Sequence, residues 1–178
     1  VSTLAWHFVG GALRDGRPVP EDGETLVHDG PVKMCASGLH ASRRMLDALT
    51  YAPGYTVCRV RCEDVVAEDY DKLVCRRRTI LWRVEAEDLL RDFARRCALD
   101  VIDEWDAPDV VIEYLRTGDE SLRSATRSAA RDAVRSAARG ATRPAARLAA
   151  RLAAWAAAWD RQNRRLTAMV SARKPEAA

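Results

Sequence analysis

Leu4 to Val9 is a run of mostly apolar, strand-forming residues, with Trp6 and Phe8 on one face and Ala5 and His7 on the other. This predicts a β-strand, ended by Gly10-Gly11. Turn chemistry follows at Arg14–Pro18 and again at Glu21–Gly23. Thr25–His28 predicts a short strand and Val32–Cys35 another. Ser37-Gly38-Leu39-His40-Ala41-Ser42 then leads into a helix capped by Ser42, with Met45, Leu46, Ala48 and Leu49 as its stripe and Pro53-Gly54 as its stop.

From Tyr55 to Cys62 the alternation is regular. Thr56, Cys58, Val60 and Cys62 are predicted to face inward, and Tyr55, Val57, Arg59 and Arg61 the other way. Acidic residues gather over Glu63–Asp71. Leu73–Val84 holds strand formers around the basic run Arg76-Arg77-Arg78. Glu85–Trp105 carries Leu89, Leu90, Phe93, Ala94, Cys97, Val101 and Trp105 at helical steps. A short helix opens at Pro108 and closes at Gly118.

At Asp119 the composition changes. Arginine stands at every fourth position: Arg123, Arg127, Arg131, Arg135, Arg139, Arg143, Arg147 and Arg151. Trp155 and Trp159 continue that column, and alanine fills the column two residues later. Alanine and arginine are strong helix formers, so helix is expected. A helix turns ~100° per residue, so each four-residue step overshoots by ~40° and the arginine column winds around the axis. Arg–Arg pairs at i,i+4 oppose the helix by a few tenths of a kcal/mol each, a repulsion that anions relieve. Gly140 and Pro144 predict a break, because an interior proline costs roughly 3 kcal/mol. The arms on either side form an antiparallel hairpin or one kinked helix.

The predicted class is α+β: a mixed or antiparallel sheet with helices over residues 1–118, a basic helical segment over 119–173, and a disordered end over 174–178. Charge sharpens the division. Residues 119–178 hold 13 Lys+Arg and 5 Asp+Glu, a balance of +8; residues 1–118 hold 16 and 21, a balance of −5. This asymmetry points to an anionic partner or to docking of the halves.

Other classes are disfavoured. No run of 18 uncharged apolar residues exists, so no membrane span is expected. No basic stretch leads into an apolar one at the start of the sequence, so no secretory signal is expected. Cys35, Cys58, Cys62, Cys75 and Cys97 form no Cys-x-x-Cys pair, and with three histidines they write no zinc spacing. Reduced cysteines in a cytosol are expected, a bacterial host cytosol if the protein is phage-encoded. No P-loop, Gly-x-Ser-x-Gly, Gly-x-Gly-x-x-Gly or His-Glu-x-x-His occurs.

The segment Cys35–Ser42, followed by Asp47-Ala48-Leu49-Thr50-Tyr51-Ala52-Pro53-Gly54, resembles an uncharacterised domain family of bacteriophage and actinobacterial proteins. Trp155–Asp160 and Gln162–Met169 resemble the same group. That resemblance supplies no activity.

A partial resemblance to ADP-ribosyltransferases rests on His7 in the first strand, Gly38-Leu39-His40-Ala41-Ser42 in the second block, Tyr51 at a helix end, Tyr55–Arg61 as the next strand and Ile80–Val84 as a late strand. It implies an NAD-shaped cleft with His7, His40 and Tyr51 as catalytic residues and NAD as cofactor. The glutamate that the family places before the late strand is absent; Arg76, Arg77, Arg78 and Thr79 stand there, and Glu85 and Glu87 follow the strand. An oxocarbenium-like transition state wants a carboxylate, whereas three arginines suit a phosphate.

The leading expectation is a non-enzymatic, phage-associated interaction protein without a cofactor. Its anion-binding residues are the arginine column with Arg76, Arg77 and Arg78, and its partner is nucleic acid or an acidic protein surface. Trp155 and Trp159 stack on bases or seal a helix contact. The alternatives are the transferase-like enzyme or its inactive relic, and a homo-oligomer assembled through alanine-rich helices.

Overall fold

The computed structural model describes residues 2–104, 106–139 and 146–176, with side chains described for all of these except 132–139 and 146–156. The fold is α+β, as expected. Five strands, β1 (Ser2–Val9), β2 (Thr25–Val27), β3 (Leu39–Ala41), β4 (Thr56–Glu68) and β5 (Leu73–Glu85), form one antiparallel sheet. The helices are α1 (Met45–Leu49), α2 (Glu87–Leu99), α3 (Asp109–Thr117), α4 (Arg123–Arg139) and α5 (Ala146–Ser171).

Two compact units divide the chain. One holds residues 1–89 and 161–178, the other residues 90–160. The division in space therefore falls at other places than the compositional change at Asp119.

In the first unit the strand order is β1-β4-β5-β2. One edge of β5 is paired along its length with β4. The other edge is shared by β3, opposite Leu73–Cys75, and β2, opposite Arg77–Thr79. Ser42, just after β3, bridges Trp6 on β1 through two backbone hydrogen bonds of 2.7 and 2.9 Å. The sheet thus curls until its ends meet. Its concave face carries Ala5, Val9, Leu39, Ala41, Cys58, Val60, Cys62, Leu73, Cys75 and Ile80 as one buried cluster. The inward alternation read for Cys58, Val60 and Cys62 is what the structure has.

The convex face is covered in part. Phe8 and Val57 are buried there, and α1 packs on β1 with Met45, Leu46 and Ala48 buried. Asn163 of α5 accepts a hydrogen bond from the Leu46 backbone N–H at 3.0 Å, and Leu166 and Val170 are fully buried. The far end of the sequence is thereby part of the first unit's core.

Several local expectations are corrected. Val32–Cys35 is not a strand: Lys33 and Ser37 exchange backbone hydrogen bonds of 3.0 and 2.9 Å and close a tight loop. Ser42 does not cap a helix. Its backbone is used by the bridge to Trp6, and α1 starts behind Arg44 without a side-chain cap. β4 runs on to Glu68 through the acidic stretch, since carboxylates on an exposed hairpin stay in water. The helix expected over Glu85–Trp105 is shorter: Glu85 ends β5, α2 stops at Leu99, and Ile102–Glu104 is a single 3-10 turn.

In the second unit, Asp119 accepts the Ser121 N–H at 2.9 Å and starts a 3-10 turn (Glu120–Leu122) that feeds α4. Thr126 is buried and its hydroxyl donates to the Val110 carbonyl of α3 at 3.1 Å. Gly118 ends α3 in the left-handed conformation with φ 71°. The expected break at Gly140–Pro144 lies outside the described residues; α4 ends before it and α5 begins after it.

Candidate functional site

Strand alternation puts His7 on the concave face, in register with Cys58 of β4, which is itself opposite Arg83 of β5. Burial holds the His7 imidazole well below its ordinary value, and the charge of Arg78 nearby, with that of His40 whenever it is protonated, pushes the same way. His7 is therefore neutral at physiological pH.

Arg78 reaches this centre through a break in the period of two. Asp64 on β4 has φ 54°, and its left-handed backbone lets Cys62 and Val65, three residues apart, both face the core. On β5 the partner step is matched: Cys75 and Arg78 are buried while Arg76 and Arg77 between them are exposed. Arg78 is only 5% exposed. Its Nη1 donates to the His40 carbonyl, and among the described residues no carboxylate pairs with it. The titratable neighbours that favour its charge are the thiols of Cys62, Cys75 and Cys58. The hydrogen bond between Cys62 and Cys75 raises the first thiol and lowers the second, and Arg78 favours the thiolate of both. Burial above all pushes the Cys58 thiol up to about 11.

His40 is held by a strained loop. Cys35 has φ 63° and donates its backbone N–H to His40 Nε2 at 3.1 Å. An accepting Nε2 puts the ring proton on Nδ1. Gly38, with φ 104°, lies so near Val74 and Val32 that a Cβ there would stand 2.7 Å from one Val74 methyl. Burial lowers the His40 value; the Gly38 carbonyl opposes this, and the charges of Arg78 and Lys72 add to it.

Tyr51 follows α1 and is 52% exposed. Its hydroxyl donates to Asp71 Oδ2 and accepts from Lys72 Nζ at 3.0 Å, and the same ammonium stands 4.7 Å from the ring centroid. The bond to Tyr51 raises Lys72, assisted by Asp71. The structure thus brings His7, His40 and Arg78 to one centre. Tyr51 stands in a separate polar triad, linked to His40 through the charge on Lys72.

The chemistry available at the centre suits negative charge. Arg76 donates to the Gly30 carbonyl at 3.1 Å, and Arg77 lies 3.8 Å from Glu63. Glu85 accepts from Thr56 at 2.6 Å, seven residues along β5 from Arg78, or roughly 23 Å of strand. No group of His, Cys, Asp and Glu among the described residues is arranged to hold a metal ion. No described helix is long and apolar enough to cross a membrane.

On α4 the side chains of Arg123, Arg127 and Arg131 are exposed. Glu120 accepts from Arg123 at 3.1 Å and from Arg91 at 3.3 Å, and a shallow concavity is lined by Glu120, Arg123, Ser124 and Arg127. The side chains of Arg135, Arg139, Arg147, Arg151 and Trp155 lie outside the description, as does Arg143 altogether. Trp159 is half-buried on α5.

Sequence reasoning missed Lys72 and Asp71 as partners of Tyr51, and missed that Arg78 is internal while Arg76 and Arg77 are not. The first has no local signal, because 20 residues separate the groups. For the second, the signal was a strand carrying three consecutive arginines, at least one of which had to face inward.

The fold is a small α+β domain whose curled antiparallel sheet encloses a buried cation and a neutral histidine. The chain belongs to the DUF7666 family, a domain of unknown function, which it matches over residues 4–92. That span runs from β1 into α2 and includes His7, His40, Tyr51 and Arg78. No curated protein and no solved structure matches the chain.

Proposed function

We propose that this chain is a non-enzymatic, phage-associated interaction protein whose α4 arginine face engages an anionic partner, a nucleic acid or an acidic protein surface. One observation carries the reading. The stripe that α4 turns inward contains buried Thr126 with half-buried Ala129 and Ala130, in line with half-buried Leu122 of the turn before it, and this leaves Arg123, Arg127 and Arg131 together in water. The +8 balance of residues 119–178 supports it. The cationic His7–Arg78 centre supports the transferase-like alternative less, because that chemistry wants a carboxylate there. The reading places the protein in a host cytosol, with its cysteines reduced.

The test is a titration of the full chain with duplex DNA, single-stranded DNA and polyglutamate at 50 and 200 mM salt. Binding to at least one polyanion should fall steeply with salt. An Arg127→Glu, Arg131→Glu variant should lose most of it. Binding to none of the three, or binding that the variant leaves intact, overturns the reading.

A further inference from the structure

The convex side of the sheet carries a row unlike the rest of the surface. Trp6 of β1, Arg59 of β4 and Trp82 of β5 are in register side by side. The two indoles meet edge to face with centroids 5.6 Å apart, and the Arg59 guanidinium carbon lies 4.4 Å from the Trp6 ring centroid. Trp6 is buried, while Arg59 and Trp82 are half-exposed. The next row holds Leu4, 53% exposed, opposite an exposed Arg61. In the opposite direction Phe8 and Val57 are buried, so the Trp-Arg-Trp row stands at the rim of the covered part of this face.

Charge on this face is unbalanced. Among the described residues neither Arg59 nor Arg61 is held by a carboxylate, and burial alone lowers the Arg59 value. The single carboxylate in the following row, Glu63, lies 3.8 Å from Arg77. Two cations therefore stand two residues apart on one strand, roughly 6.7 Å, beside a planar indole. A guanidinium lying over an indole is pre-organised as a flat cationic plate.

We propose that this face, formed by Arg59, Arg61 and Trp82 with Leu4 at its edge, binds a single-stranded nucleic acid. Arg61 and Arg59 take the phosphates, and the indole and guanidinium planes take unstacked bases. Every base has a π-face, so such a platform is tolerant of sequence. A duplex keeps its bases stacked and offers the planes nothing. An acidic peptide satisfies the arginines and leaves the indole without a partner. The inference goes beyond the α4 reading and uses none of its residues.

The experiment is fluorescence anisotropy of the full chain with a labelled 15-mer oligothymidylate, competed by unlabelled duplex of the same length and by polyglutamate. The strand should bind better than either competitor. Trp82→Ala and Arg61→Ala should each weaken binding about fivefold or more, and Trp82→Phe should retain most of it. Arg61→Ala should also lower the slope of log K against log salt by about 0.7. Arg61 is exposed, so this variant tests the proposal even if Trp82→Ala fails to fold. Parental binding by Arg61→Ala, or equal competition by duplex or polyglutamate, overturns the proposal. Loss of binding confined to the Arg127→Glu, Arg131→Glu variant overturns this face and leaves the α4 reading standing. No binding of the strand at all overturns this face, while polyglutamate or duplex binding then decides the α4 reading separately.

Discussion

The guanidinium of Arg78 donates through Nη1 to the main-chain carbonyl of His40, tying β5 to β3 from inside the curled sheet. A side chain that composition assigns to the surface is thus built into the interior. It brings a positive charge next to His7 and three thiols.

Replacing Arg78 tests what that charge does to stability. A buried guanidinium without a carboxylate partner is desolvated at a cost its hydrogen bond only partly offsets. Arg78→Met, of similar length, is expected to leave the stability unchanged or raise it by about 1–4 kcal/mol at most, with the thermal midpoint unchanged or higher. Arg78→Ala leaves a void and lowers it. Thermal melts of the two variants check this, and equal losses in both would show that the guanidinium itself holds the sheet closed.

His7 makes stability depend on pH. Its folded value is depressed, so between that value and about 6.5 the unfolded chain binds a proton that the folded chain refuses. Stability is therefore complete above about pH 6.5 and falls as the pH drops below it, by up to about 1.4 kcal/mol per pH unit. His40 is shifted in the same direction and adds to the slope. Urea unfolding at pH 7.5, 6 and 5 should show the decline, and His7→Gln should flatten it.

Gly118 and Arg95 form a second testable pair. Gly118 has φ 71°, and a Cβ there would run into the Arg95 guanidinium, whose Nε is buried without a hydrogen-bond partner among the described residues. Gly118→Ala is expected to lose about 1–2 kcal/mol from the left-handed backbone alone, plus the collision. Adding Arg95→Ala should recover the collision part and not the backbone part. A double-mutant cycle by denaturant unfolding measures the difference.

Leu166 is fully buried in the first unit. Leu166→Ala should destabilise that unit by about 2–5 kcal/mol. A chain ending at Asp160 loses Leu166, Val170, the Asn163 acceptor and the two 2.8 Å bonds from Arg173 to Asp88. It should unfold at a lower temperature than the full chain, as read by circular dichroism. An unchanged midpoint would mean that the last turns of α5 are dispensable.

Much of the fold was legible in the chain. The strand-forming run at Leu4–Val9 announced one strand, and the alternation at Tyr55–Cys62 announced a second together with its inward face, because a strand turns successive side chains to opposite sides. Gly118 announced a helix end because only glycine enters the left-handed region freely. The four-residue arginine and alanine columns announced helix on either side of Gly140–Pro144. The errors lie where a distant partner overrode local chemistry. Ser42 reads as a helix cap, yet Trp6 takes its backbone. Val32–Cys35 reads as a strand, yet the chain there must turn back to place the Cys35 N–H on His40.

By itself the sequence determined the class of elements, the inward set on the strand that carries Cys58, Val60 and Cys62, and the charge division between residues 1–118 and 119–178, since all of these follow from local period and composition. Only the tertiary structure decided that β1 and Ser42 meet, that Arg78 lies inside while Arg76 and Arg77 lie outside, that Trp6, Arg59 and Trp82 form one row, and that the last turns of α5 complete the first core. Each of these depends on strand register and on contacts between residues dozens of positions apart. Register is set by how the whole sheet closes around its core, and no short window of sequence encodes that closure.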